Sequence, residues 1–376
     1  MKKILVIGAG FSGAVIANQL ADEGMHIDIC DSRDHLGGNC HTYFDEDTGI
    51  LVHKYGPHIF HTDNERVWNF INQFAEMMPY TNRVKTRYEG TVYSLPVNLH
   101  TINQFFNKSF SPAEAEEFVK SQAVDIPNPS NFEEQALAFI GSDLYEAFFK
   151  NYTQKQWGID PKELPASILK RLPIRFDYND NYFAHKYQGI PKMGYTDAIK
   201  KILDKKNINV ILNQRMSAND CDGYDHIFYS GPLDAWYEYR FGDLGYRTLD
   251  FKEDKLLGSF QGTAVMNYPE LSFEHTRITE HKYFAPWEKS NKTIIFTEYS
   301  RAAKRNDIPY YPIRFTNDKE TLKQYIELAR KDFKITFVGR LGTYRYLDMD
   351  VTIKEALELS DAFLSGNIKR FSVNPL

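Results

Sequence analysis

The chain is poor in cysteine, in tryptophan, in long apolar runs and in net charge of either sign, and each shortage removes a class of protein. Three cysteines, Cys30, Cys40 and Cys221, are an odd number and include no Cys-x-x-Cys pair. That argues against a disulfide framework and against a zinc site, and fits a reducing cytoplasm. No uninterrupted stretch approaches the roughly 18 apolar residues that a membrane span requires. The basic start Met1-Lys2-Lys3 ahead of Ile4 to Ala17 imitates a secretory signal, but three glycines at fixed spacing interrupt it, so the chain reads as soluble and unprocessed. A formal net charge of −5 leaves no broad positive field for nucleic acid or an anionic membrane. Any anionic ligand must then be met by cations gathered locally.

What is present allows a large core. The 376 residues, 42% hydrophobic, suffice for two or three packed units. Tyrosine and phenylalanine are abundant, 24 and 27 against four tryptophans. Tyrosine joins a flat apolar face to a hydroxyl that needs a partner when buried, a combination suited to sugars and nucleobases.

The clearest local pattern lies at the amino terminus. Lys3-Ile4-Leu5-Val6-Ile7 is apolar without alternation, the mark of a parallel strand covered on both faces. Gly8-Ala9-Gly10-Phe11-Ser12-Gly13 follows, then a helical pattern through Val15, Ile16 and Leu20, then strand His26-Ile27-Asp28-Ile29-Cys30 and Asp31. In such a unit the glycines admit a pyrophosphate to the backbone, the helix start meets its charge, and the acid accepts from a ribose. The spacing leaves NAD and FAD open. The extension Arg33-Asp34-His35-Leu36-Gly37-Gly38-Asn39 resembles the FAD fingerprint of amine-oxidase-like flavoproteins, an extension that a nicotinamide dehydrogenase does not need.

Two capping boxes, Ser111-Pro112-Ala113-Glu114 and Ser130-Asn131-Phe132-Glu133, predict helices between about 98 and 165, and Thr352-Ile353-Lys354-Glu355 predicts the start of a closing helix whose amides meet the flavin ring. Thr91–Leu95 and Thr293–Thr297 read as strands of an antiparallel sheet. Ile208–Leu212, Ile227–Gly231 and Lys334–Val338 read as further parallel strands of the first unit. The expected fold class is α/β, a discontinuous Rossmann-like FAD-binding domain with an inserted helical bundle and an antiparallel β-sheet domain. The expected boundaries are 1–80, 190–235 and 330–376 for the cofactor, 98–165 for the helices, and 81–97, 166–189 and 236–329 for the substrate sheet. Turn-rich residues from Arg171 to Gln188 read as a loop, and Asn367 to Leu376 as a loose tail. His58 and His61 lie three apart, but Gly56 and Pro57 oppose a helix and no acidic or Cys partner stands at ligand spacing, so no metal is assigned.

His53-Lys54-Tyr55-Gly56-Pro57-His58-Ile59-Phe60-His61-Thr62, Asn151-Tyr152-Thr153-Gln154-Lys155-Gln156-Trp157-Gly158, Leu169 to Phe176, Asn181-Tyr182-Phe183 and Tyr187 to Pro191 form a series of unusual strings. Tyr246-Arg247, His275 to Lys282, Tyr310-Tyr311-Pro312, Gly339-Arg340-Leu341 and Tyr344 to Met349 continue it. In this order, over essentially the whole length, they resemble the bacterial UDP-galactopyranose mutases. Pro57 and the pair Gly342-Thr343 depart from the pattern.

The resemblance implies a cofactor, FAD active in its reduced form, held by Gly8, Gly10, Phe11, Ser12, Gly13, Asp31, Ser32, Arg33, Gly38, Asn39, His58, Gly339, Arg340, Asp348 and Met349. It implies His61, Arg171 and Arg277 as catalytic residues. Phe149, Tyr152, Trp157, Arg171, Tyr182, Arg247, Arg277, Tyr311 and Tyr346 would bind a nucleotide sugar, with Tyr152 stacked on uracil and the arginines on the diphosphate. Tyr145, Phe148, Phe149 and Tyr152 fall on one helical face, partly core and partly site. The implied reaction interconverts UDP-galactopyranose and UDP-galactofuranose, with N5 of reduced FAD attacking the anomeric carbon as UDP leaves, and serves cell-surface polysaccharide biosynthesis. A related sugar (UDP-GalNAc or a dTDP-6-deoxy sugar), a conventional FAD oxidoreductase and a non-catalytic nucleotide-sugar binder are the alternatives. A homodimer is compatible with the resemblance, and the residues themselves do not decide it.

Overall fold

The computed structural model describes residues 2–166, 174–313 and 318–368. Its first layer is a five-stranded sheet in the order 208–211, 26–30, 3–7, 226–229, 335–337, with every neighbouring pair parallel. Ile4 and Val6 enter one apolar cluster with Val15, Ile16, Leu20 and Leu357, whereas Leu5 enters the opposite cluster with Tyr229, Trp236 and Tyr325. Burial on both faces is why the strand is apolar throughout, each such side chain contributing about 2 kcal/mol. Helix Phe11–Asp22 crosses one face and packs on the closing helix Met349–Leu364. Helix Asp318–Lys331 covers the other through Leu322, Tyr325 and Ile326. Chain order around the first strand reverses there, the place where α/β sheets bind ligands.

A seven-stranded sheet forms the second layer, in the order 311–312, 246–257, 292–302, 277–280, 265–267, 84–88, 91–95. All its pairs are antiparallel except Val265–Asn267 with Val84–Tyr88, which run parallel. A small antiparallel sheet, 60–62, 187–191, 77–79, joins the layers and places His61 opposite Gln188.

The helices between lie at Leu99–Phe106, Pro112–Gln122, Phe132–Leu144 and Asn151–Trp157. The box at Ser111 and Glu114 forms as expected. The second shifts by one residue: Asn131 caps the helix by accepting from the Glu134 amide, and Ser130 instead donates its amide and hydroxyl to the Glu134 carboxylate. Asparagine is as good a cap as serine, so the pattern alone admits either. The third is overturned, since the closing helix begins at Met349 after Asp348 and Thr352 is already helical. Glu355 pairs with Arg345 rather than reaching back to a cap. Among the described residues no helix is long and apolar enough to cross a membrane.

Candidate active site

Two cavities meet between the layers. The first, about 450 Å³, runs over the ends of the parallel strands. A side chain on Gly13 would put its Cβ 2.0 Å from the Gly8 carbonyl, so helix Phe11–Asp22 can start against the turn only with glycine there. Gly13 therefore shapes the cavity without lining it. Neither a side chain nor an acidic residue caps this helix start, which leaves its amide dipoles for an anion. Asp31 accepts from the Ala9 amide at 2.8 Å and the Arg33 amide at 3.0 Å, tying the turn to the second strand. Gly8, Gly10, Phe11, Ser12, Asp31, Ser32, Arg33, Gly38, Asn39, His58, Gly339, Arg340 and Met349 all line it. Arg33 donates to Asn39 and lies over the Tyr55 ring. At the far end, helix Met349–Leu364 also starts without a side-chain cap. A long groove with uncapped helix starts on its wall fits a dinucleotide such as FAD.

The second cavity, about 310 Å³, shares His58, Arg340 and Met349 with the first. His61, Phe149, Tyr152, Tyr182, Arg277, Tyr311, Tyr346 and Asp348 line it, so Asp348 stands on this side of the junction. The aromatic face is not a regular α-helix: after a kink at Gly141 the chain widens into a π-helical stretch, Tyr145–Lys150. Tyr145 turns into the core and donates to Glu133, while Phe149 and Tyr152 reach the cavity.

Arg340 is fixed by the Leu347 and Tyr310 carbonyls and lies over Tyr346 and Tyr311, whose rings stack at 5.4 Å. Arg277 stands 3.1 Å from the buried Glu298 carboxylate. Burial works against its charge, but Glu298 together with the surrounding phenols of Tyr152, Tyr311 and Tyr182 favours it, and the guanidinium stays protonated. Burial pushes the phenols of Tyr152, to about 12, and of Tyr182 and Tyr311 upward, so all three keep a proton to donate. Burial, then Arg340, lowers His58 to about 4, and its Nδ1 faces the Gly56 carbonyl at 2.9 Å. His61 is likewise lowered by burial, stacks on Phe183 at 3.7 Å and shares a 2.9 Å hydrogen bond between its Nδ1 and that of His185.

Two expected residues are not brought into this group. Arg247 is buried under the end of helix Asn151–Trp157, donating to the Lys155 and Gln156 carbonyls and to Ser300. Trp157 packs on the helical core, outside both cavities. Arg171 lies outside the described residues. Lining residues that sequence reasoning missed include Tyr55, Asn82, Phe183, Gln214, Glu298 and Tyr310. Tyr55, Phe183 and Tyr310 stood within the strings that carry the resemblance, and Glu298 left a signal of its own, the lone acid of strand Lys292–Ala302.

Comparison with known proteins agrees with this geometry. A model of the UDP-galactopyranose mutase family matches residues 147–346, and one of the NAD(P)-binding Rossmann-like domain matches residues 6–74. A probable UDP-galactopyranose mutase of Klebsiella pneumoniae is 59% identical over 97% of this chain and 95% of its own. A dTDP-fucopyranose mutase of Escherichia coli is 50% identical over 98% and 100%. The crystal structure of a reduced UDP-galactopyranose mutase superposes with a TM-score of 0.75 at 16% identity, over 97% of this chain and 94% of that one. The chain belongs to the UDP-galactopyranose mutase family, enzymes that depend on FAD.

Proposed function

We propose that this enzyme interconverts UDP-galactopyranose and UDP-galactofuranose. The observation behind this reading is the junction itself: a dinucleotide groove opens through His58, Arg340 and Met349 onto an aromatic pocket bearing a buried arginine. The groove residues from Gly8 to Asn39, with Gly339 and Arg340, would hold FAD. Amides at the start of helix Met349–Leu364, which bond to no capping side chain although Asp348 and Asp350 stand beside them, would face its ring. When bound and reduced, FAD supplies a nucleophilic nitrogen to the anomeric carbon. Phe149 and Tyr152 flank the uracil, and Tyr182, Tyr311 and Tyr346 hold the diphosphate and sugar.

Charge supports a third arginine. Among the described residues the second cavity sets Arg277 and Arg340 against Glu298 and Asp348, a balance that leaves a diphosphate of about two negative charges unmatched. Arg171 would supply the missing guanidinium. The arginines then stabilise the departing UDP and retain it for return. Arg247 and Trp157 would act from behind, holding the helix that presents Tyr152.

The relative that is a dTDP-fucopyranose mutase favours a second reading, a dTDP-linked 6-deoxy sugar. The test is a panel of nucleotide sugars supplied to dithionite-reduced enzyme. UDP-galactofuranose should give UDP-galactopyranose faster than any other pair reacts. Preference for the dTDP pair would establish the second reading, and net oxidation of a substrate with peroxide formation by the oxidised enzyme in air would overturn both.

A further inference from the structure

The structure assigns Lys155 a task that its place in the helix does not announce. Its side chain leaves the last turn of helix Asn151–Trp157 and enters a ring of main-chain oxygens on the loop between strands Val265–Asn267 and Arg277–Glu280. Nζ lies 2.5 Å from the Tyr268 carbonyl and 2.9 Å from those of Glu270, Phe273 and His275. An ammonium has three protons, so four converging carbonyls exceed what it needs, and they resemble the oxygen nest of a bound monovalent cation. Burial lowers the pKa of Lys155 to about 8, against the opposing pull of the Glu270 carboxylate on the same loop. Among the described residues no carboxylate hydrogen-bonds to Lys155, and the loop meets its ammonium through main-chain oxygens.

The two things tied together both face the second cavity. Tyr152 lies one turn before Lys155, and the loop begins at Asn267 and ends at Arg277, both lining residues. From the other side, Arg247 and Ser300 donate to the Gln156 carbonyl, fixing the same helix end to the long strands. We infer that Lys155 is a positioning residue that locks the helix presenting Tyr152 to the loop delivering Arg277, so that the base-binding and phosphate-binding walls keep one spacing. This rests on the proposed nucleotide-sugar reading for its purpose, not for its geometry.

The test uses FAD-loaded enzyme and its Lys155→Ala and Lys155→Arg variants, with UDP as the probe. Lys155→Ala in a large-cation buffer such as N-methylglucamine should bind UDP about tenfold more weakly, with KM raised and kcat changed about twofold or less. Potassium or ammonium ions, which fit a carbonyl nest, should restore most of the affinity, whereas lithium should not. Lys155→Arg should remain weak, because a planar fork cannot meet four converging oxygens. Hydrogen exchange, measured without ligand, should show residues 268–275 loosened in Lys155→Ala and protected again by ammonium. UDP binding by Lys155→Ala within about twofold of the wild type in every buffer, or an unchanged exchange of 268–275, would overturn the inference. Failure of the wild type to bind UDP would instead sink the substrate reading, while the exchange experiment still judges the lock.

Discussion

Arg277→Met separates what the arginine does for the fold from what it does for the substrate. Glu298 has a side chain only 2% exposed, and its polar contacts are Arg277 at 3.1 Å and the Thr276 hydroxyl at 3.2 Å. Removing the guanidinium strands a carboxylate, which in a fully buried pair costs about 3–5 kcal/mol. Arg277 is 22% exposed, so solvent screening reduces this to roughly 2–4 kcal/mol. Adding Glu298→Gln removes the stranded charge while keeping a partner for Thr276, and more than half of the lost stability should return. Turnover should fall by about a hundredfold or more in both variants, because the phosphate contact is missing from each. Urea unfolding of the wild type, the two single variants and the double variant, with turnover of each, completes the cycle. A single variant as stable as the wild type, or a double variant no better than the single, would refute the assignment of the ion pair.

Arg171→Ala should purify with its flavin yet lose most turnover, which anaerobic assay beside the flavin absorbance will show; normal activity would remove Arg171 from the reaction. Tyr152→Phe should raise KM for the nucleotide sugar several-fold, and since burial holds this phenol at about 12, the wild-type KM should show no titration of Tyr152 between about pH 7 and 10. His53 and His281 are almost wholly buried and held neutral by burial, His281 at about 3. Both are depressed below the unfolded value of about 6.5, so unfolding takes up protons and stability falls as pH drops through about 6.5 toward 4, by about 1.4 kcal/mol per pH unit per histidine. His281→Gln should lose one proton's worth of that slope in pH-dependent urea unfolding.

Much of this architecture is legible in the residues because it follows from local rules. An unbroken apolar strand, a glycine turn and a second strand ending in an acid admit few arrangements, and the parallel sheet with its groove follows. The aromatic cluster was also within reach, because Phe149 and Tyr152 share a face even when the helix widens. Direction was not. Arg247 stands in a string as suggestive as that of Arg277, yet one guanidinium meets helix-end carbonyls and the other a buried carboxylate facing the cavity. Only the crossing of helix Asn151–Trp157 over the long strands decides between them. Two of the three caps failed for simpler reasons: Asn131 competes with Ser130 for the same task at nearly equal free energy, and the closing helix starts before Thr352, at Met349, with no side-chain cap at all. Lys155 has no one-dimensional signature at all, since its partners are main-chain oxygens more than a hundred residues away.

The central claim is that reduced flavin in the groove serves sugar chemistry in the pocket beyond His58 and Arg340. The most direct measurement is anaerobic conversion of UDP-galactofuranose by FAD-loaded enzyme, scored by chromatography with the flavin spectrum recorded before and after. Dithionite-reduced enzyme should form UDP-galactopyranose through many turnovers and end with its flavin still reduced, while the oxidised enzyme stays inert. Equal rates with and without FAD, or a purified protein that cannot take up the flavin, would contradict the account.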